Sequence, residues 1–138
     1  MTDVSKPTYQ IDGQRFQTLE AFYDEISRQL IPDVFWGRNL DAFNDILRGG
    51  FGTPEGGFVL RWRNSEVSRR NLGFPETIAY LERKLTRCHP SSVAIVQQDL
   101  LAARRGEGQT LFELLLEIIA THGPGGEEQE DGVELELC

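Results

Sequence analysis

Short strand-like segments alternate with amphipathic helices along the chain, and this order restricts the possible folds more than any other feature. The three strand-like segments are residues 9–13, 58–63 and 133–138. Between them, apolar residues recur every three or four positions, which is typical of helices that bury one face. Strands that are separated by helices favour parallel pairing. The sequence therefore predicts an α/β fold in which a small, mostly parallel sheet packs against helices.

Local signals mark the ends of the predicted helices. Thr18 and Asn39 can each act as an N-cap, and Gly49 lies where the second of these helices should end. Thr110 and Glu113 form a capping box, in which the hydroxyl and the carboxylate satisfy free backbone N–H groups. Because the helix that follows is apolar nearly all round, we expect it to be the most buried helix of the fold.

The length of 138 residues suits a single domain. Within it, residues 75–105 predict a helical hairpin, and residues 123–132, which are rich in glycine and acids, predict a flexible loop. The N-terminus lacks the apolar core of a signal peptide, and no apolar run is long enough to span a bilayer. We therefore expect a cytoplasmic protein.

The charge balance narrows the classes of partner. The formal net charge is -8, with 22 acidic and 14 basic residues, which argues against a general nucleic-acid binder. It suits a protein with a basic partner, or simply a soluble acidic protein. The two cysteines, Cys88 and Cys138, lie far apart and form no ligand cluster with histidine. We expect no metal site and no cofactor.

Two acids lie together on the second predicted helix. Asp41 and Asp45 are four residues apart and share one helix face, where like charges cost roughly a few tenths of a kcal/mol. The pair lies between the aromatic residues Phe35 and Trp36 and a glycine-rich turn that bears Phe51. An acidic surface beside exposed aromatics suits a basic partner, because complementary potentials steer encounter and fix register. A solvated helix face is the plain alternative.

Glu117 is a further acid, on a helix that otherwise carries few charges. Paired carboxylates can also serve catalysis, but a glycosidase needs a larger cleft, and a metal nuclease needs Lys or His beside the acids. No lysine occurs between Lys6 and Lys84, and neither histidine is near the acids in the sequence. A hydrolase that uses Asp41 and Asp45 is therefore the least favoured hypothesis.

Residues 32–47, Pro-Asp-Val-Phe-Trp-Gly-Arg-Asn-Leu-Asp-Ala-Phe-Asn-Asp-Ile-Leu, resemble the barstar family of intracellular ribonuclease inhibitors. The family's signature is an aromatic pair, a glycine, one residue, Asn-Leu-Asp-Ala and a second Asp three residues on. Here these are Phe35-Trp36, Gly37, residues 39–42 and Asp45. The likeness covers most of residues 8–68 and 108–138. It implies a three-stranded parallel sheet with helices against it, and an inhibitor rather than an enzyme.

The resemblance also implies a mechanism, in which a helix and its preceding loop enter the active-site cleft of a basic ribonuclease of extracellular or toxin type. Asp45 looks like the principal acid, and Asp41 and Glu117 look like flanking acids. Phe35 looks like the aromatic that packs on a catalytic histidine, and residues 49–51 look like a contact turn. The partner-binding residues expected on this basis are Phe35, Arg38, Asp41, Asn44, Asp45, Gly49, Phe51 and Glu117.

Departures from the family pattern leave other interpretations open. The aromatic that usually precedes the second Asp is Asn44, the usual Tyr is Phe35, and the usual aromatic after the contact glycine is Gly50. These changes argue against barnase itself as the partner. A different ribonuclease toxin fits, and so does a binding or regulatory module on the same fold with a non-nuclease partner.

A helical insertion at about residues 69–107 is a second departure from the compact members of the family. It contains seven basic and four acidic residues, so it is positively charged within an acidic chain. We favour an elaboration that adds core and a solvated basic edge. A second contact surface or a dimer interface is the alternative.

Overall fold

The computed structural model describes residues 6–49, 52–54 and 56–138. The strands are β1 (Thr8–Asp12), β2 (Val59–Arg63) and β3 (Glu134–Leu137). The α-helices are α1 (Leu19–Leu30), α2 (Leu40–Arg48), α3 (Ser65–Asn71), α4 (Phe74–Leu85), α5 (Val93–Arg104) and α6 (Leu111–Thr121). None of the helices in these described ranges is long and apolar enough to cross a lipid bilayer.

The strands form one parallel sheet in the order β1-β2-β3. Ile11 of β1 lies opposite Trp62 of β2, and Leu60 of β2 lies opposite Leu135 of β3. Ile11, Leu60 and Trp62 are fully buried and share one face, because side chains alternate along a strand. The predicted α/β fold is therefore confirmed, with helices packed on the face that these residues share.

The opposite face of the sheet is charged. Arg61 of β2 lies opposite Glu136 of β3, and its Nε donates a hydrogen bond of 2.8 Å to Glu136 Oε2. Parallel sheets usually carry helices on both faces. Here the paired charges remain partly exposed, so the main apolar core lies on the other side of the sheet.

The predicted N-caps position the first two helices. Thr18 Oγ1 accepts a hydrogen bond of 3.1 Å from the backbone N–H of Ala21, and Asn39 Oδ1 accepts one of 2.8 Å from Ala42. Each bond satisfies a free N–H group in the first helical turn. The apolar face of α2 then packs into the core through its buried residues Phe43, Ile46 and Leu47.

The start of α6 is the predicted capping box, in which Thr110 and Glu113 exchange hydrogen bonds of 3.0 and 3.2 Å. The prediction that α6 is the most buried helix was wrong, because α1 buries six residues and α6 buries four. Leu114, Leu116 and Ile118 are only partly buried against the core. Neighbouring elements cover part of the α6 surface, although its sequence is apolar nearly all round.

The predicted helical hairpin is formed by α4 and α5 and has a small core of its own. The buried residues of that core are Leu81, Val96, Leu100 and Ala103. Tyr80 is partly buried and packs against both this cluster and the main core. Thr77 Oγ1 accepts a hydrogen bond of 2.9 Å from the backbone N–H of Leu111. These contacts fix the hairpin beside α6.

Candidate partner-binding site

The loop between α1 and α2 directs one aromatic residue inward and its neighbour outward. Trp36 is buried, and its Nε1 donates a hydrogen bond of 2.7 Å to Ser27 Oγ on α1. Its ring packs edge-on against Tyr23, with the ring centroids 5.5 Å apart. Phe35, by contrast, is 99 % exposed. Because Trp36 anchors the loop, Phe35 stands in solvent, where a partner can bury it.

Arg38 turns back from the same loop onto α1. Its φ of 50° lies in the left-handed region, which residues other than glycine rarely adopt. Its Nη2 donates a hydrogen bond of 3.3 Å to the carbonyl oxygen of Glu20 and forms an ion pair with Asp24. The charge of Arg38 is therefore largely matched within the molecule.

Asp41 and Asp45 lie one turn apart on α2 but differ in their surroundings. Asp41 is exposed in the first turn, and no basic side chain of the described residues lies within 4.0 Å of its carboxylate. Asp45 Oδ1 accepts a hydrogen bond of 2.7 Å from Arg48 Nη1, and its side chain stays 48 % exposed. Asp41 is available to an incoming cation, whereas Asp45 is shared with an internal one.

Arg48 also connects α2 to the acidic loop, residues 123–132. Its Nε and Nη2 donate hydrogen bonds of 2.9 and 3.2 Å to the two carboxylate oxygens of Glu128. These bonds are the main reason why the pKa of Arg48 is raised and the pKa of Glu128 is lowered from its ordinary value of 4.5. The loop that the sequence predicts to be flexible is thus anchored at this point.

His122, which the sequence does not single out as a site residue, joins α2 to the end of α6. The ring is fully buried, with Nδ1 2.7 Å from Asp131 Oδ2 and Nε2 2.7 Å from Asn44 Oδ1. Periodicity and motifs give no signal for this contact, because 78 residues of sequence separate His122 from Asn44. The available signal was Asn44 itself, a polar residue where the family usually carries an aromatic.

His122, Glu128 and Asp131 bring potential metal-ligand atoms within 4.8 Å of one another. Both carboxylate oxygens of Glu128 are, however, bound by Arg48, and both ring nitrogens of His122 have hydrogen-bond partners. Because these atoms are already satisfied, we assign the cluster a structural role. It fixes the acidic loop against α2 and α6.

The other predicted contact residues are spread more widely. Glu117 is exposed on α6, accepts a hydrogen bond from Gln109, and lines a shallow depression next to the acidic loop. Gly49 ends α2 with a φ of 89°, a conformation that favours glycine. Phe51 lies outside the described residues.

A groove of about 610 Å³ runs beside the start of α2. The loop and α2 contribute Arg38 and Asp41 to it, whereas Arg83, Lys84 and Arg87 line it from α4 and the residues just after that helix. We call this the basic groove, and we call Arg83, Lys84 and Arg87 its basic wall. These three are among the seven basic residues of the insertion, and only the folded chain brings them beside the acidic helix.

Two comparisons with known proteins bear on the family of the chain. A family model described as Barstar (barnase inhibitor) matches residues 7–89, from just before β1 to just beyond α4. A protein of Bacillus subtilis (strain 168), named "Putative ribonuclease inhibitor YrdF", is 36% identical over 63 residues. That alignment covers 46% of this chain and 66% of the relative, slightly less than two thirds of its length.

Proposed function

The chain belongs to the barstar family, and on that premise we propose that it inhibits a basic ribonuclease by covering its active site. The family description, barnase inhibitor, supports a role as an inhibitor rather than as an enzyme. More specifically, we propose that the partner is a secreted ribonuclease or a ribonuclease toxin. The chain then acts as an immunity protein in the cytoplasm, the compartment that holds the RNA to be protected.

The observation that carries this proposal is the exposed surface formed by the loop and α2. Phe35 is 99 % exposed although it is a large apolar residue, and Asp41 is exposed close to it in the sequence. Full burial of a Phe side chain is worth about 1.5–3 kcal/mol, so leaving it in solvent is unfavourable for the free chain. Phe35 and Asp41 together match a partner that offers an aromatic or apolar contact and positive charge.

The proposed mechanism needs no chemical step by this chain. An active site that binds RNA phosphates presents cations, and carboxylates can occupy the same positions as the phosphates. Asp41 and Asp45 enter from α2, Glu117 flanks them from α6, and Phe35 packs on the rim of the cleft. RNA is then excluded because its phosphate sites are filled. The net charge of -8 also accelerates encounter with a basic enzyme.

The internal ion pair of Asp45 is compatible with this mechanism. Arg48 donates two hydrogen bonds to Glu128 but only one to Asp45. When a cation of the ribonuclease approaches Asp45, Arg48 can therefore remain hydrogen-bonded to Glu128. Asp45 exchanges one cation for another and does not leave Arg48 unpaired.

Asn44 needs no unusual partner to explain it. Its side chain bonds to the buried His122, so the residue is accounted for by contacts within this molecule. An aromatic residue at this position would leave Nε2 of the buried His122 without a hydrogen-bond partner, since Asp131 binds only Nδ1. The departure from the family's aromatic at this position therefore gives little support to a non-nuclease partner.

We expect Asp45→Ala to weaken binding to the partner ribonuclease strongly. Loss of one member of a buried, hydrogen-bonded charge pair costs about 2–5 kcal/mol, which corresponds to roughly 30- to 4,000-fold in Kd. The probe is a ribonuclease captured from native lysate on the immobilised wild-type chain and identified by its activity. Calorimetric titration of that enzyme with each variant measures the Kd.

Glu66→Ala is the matched control, since Glu66 is an exposed acid on α3 that, like Asp45, pairs with an arginine three residues further along its helix. It should leave the Kd unchanged, and both variants should keep the thermal stability of the wild type. Equal affinities of the wild type and Asp45→Ala, or the absence of any ribonuclease among the captured proteins, would contradict the proposed function.

A further inference from the structure

The basic wall of the groove carries more positive charge than its neighbours neutralise. Arg83 lies 3.7 Å from Glu76, a weak pairing, and Lys84 lies over the ring of Tyr80 at 5.8 Å from its centroid. Among the residues that the structure describes, no carboxylate lies within 4.0 Å of Lys84 or Arg87. Like charges that lie close together repel each other, so an external anion would stabilise the wall.

The other side of the groove has the opposite character. Asp41 is exposed there, and Glu20 lines the groove next to it. Arg38 also lines this side, but Asp24 and Glu20 already pair with it. The groove therefore separates a side with uncompensated acid from a wall with uncompensated base.

We propose that the basic groove receives an acidic segment of the partner ribonuclease, with its carboxylates against Lys84 and Arg87. This inference rests on the proposed function, because it assigns a second contact to the partner that docks on α2. Asp41 belongs both to the groove and to the predicted contact set. A partner whose basic cleft meets α2 places its adjacent surface over α4. An acidic segment at that position makes the charges of the ribonuclease complementary to both sides of the groove, and this fixes the orientation in which the two proteins dock.

A protein segment fits the groove better than RNA does. Phosphates that entered the groove would approach Glu20 and Asp41 as well as the basic wall. They would also meet the repulsion of a chain with a net charge of -8. A folded protein can instead offer cations to Asp41 and carboxylates to Lys84 from separate positions on its surface.

A charge-reversal series tests the inference. The double variant Lys84→Glu/Arg87→Glu should bind the captured ribonuclease at least tenfold more weakly than the wild type, because the new glutamates then repel the carboxylates of the ribonuclease segment. The matched control is Arg104→Glu/Arg105→Glu, which makes the same change in net charge on exposed residues of the same hairpin that do not line the groove. The control measures how much of the weaker binding comes from the change in net charge alone.

Zero-length crosslinking gives a second readout that does not depend on affinity. The chain has only two lysines, Lys6 and Lys84. A carbodiimide activates a carboxylate of the ribonuclease, and a lysine amine in contact displaces the activated group to form an amide. Mass spectrometry of the complex should find Lys84, and not Lys6, joined to an aspartate or glutamate of the ribonuclease.

The outcomes separate this inference from the proposed function. If Asp45→Ala weakens binding but Lys84→Glu/Arg87→Glu does not exceed its control, the inference is wrong and the proposed function stands. If an RNA oligonucleotide binds the free chain and the double variant abolishes that binding, the groove is a nucleic-acid site and the inference is also wrong. If no ribonuclease binds the chain, both the proposed function and the inference are wrong.

Discussion

At the scale of single residues, Arg48 controls how much negative charge α2 offers to a partner. It donates hydrogen bonds to Asp45 at one end and to Glu128 at the other. Exposed ion pairs contribute little to stability, because water and salt screen them. On the proposed function, the main effect of Arg48 therefore concerns recognition, because it neutralises part of the acidic surface that α2 would offer to a basic ribonuclease.

We expect Arg48→Ala to bind the ribonuclease faster than the wild type does. The substitution removes a repulsive charge and releases Asp45, so the association rate constant should rise several-fold at low salt, and less at high salt. Stopped-flow fluorescence measures this rate. Arg61→Ala removes a similarly paired arginine from the open face of the sheet and serves as the control. Slower association of Arg48→Ala would mean that Arg48 itself contacts the partner.

At the scale of secondary-structure elements, the helix starts could be predicted because their signals are local. Thr18, Asn39 and Thr110 each bind a backbone N–H group within three residues. The burial of α6 could not be predicted, because it depends on which neighbours cover the helix. The bond between His122 and Asn44 was missed for the same reason, since it joins residues that only the folded chain brings together.

We expect Asn39→Ala to reduce both stability and binding. Loss of this cap should lower the free energy of unfolding by about 1 kcal/mol and fray the first turn of α2, which carries Asp41. Thr18→Ala removes the corresponding cap of α1 and should cost a similar amount of stability but weaken binding less, because α1 carries none of the predicted contact acids. Chemical denaturation and titration of the ribonuclease measure the two effects. A similar loss of binding in both variants would indicate a general effect of destabilisation.

At the scale of the whole molecule, the fold presents the exposed acid of α2 and the basic wall on opposite sides of one groove. The sheet and its helices fix α2, and a second small core fixes the hairpin that carries the basic wall. The alternation of strands and amphipathic helices predicted the α/β fold, the spacing of Asp41 and Asp45 predicted the acidic helix, and the family resemblance implied the same fold. The sequence did not predict the groove between α2 and α4, because the residues that line it come from helices that only the folded chain brings together.

The most direct test of the central claim is a competition between the chain and a nucleotide for the ribonuclease. The apparent Kd of the wild-type chain is measured by titration at increasing concentrations of a nucleoside 3′-monophosphate, which occupies a phosphate site of the enzyme. If carboxylates of α2 fill the same site, the apparent Kd should rise in proportion to the nucleotide once its concentration exceeds its own dissociation constant. An apparent Kd that stays constant would mean that chain and nucleotide bind together, and it would contradict inhibition by occupation of the active site.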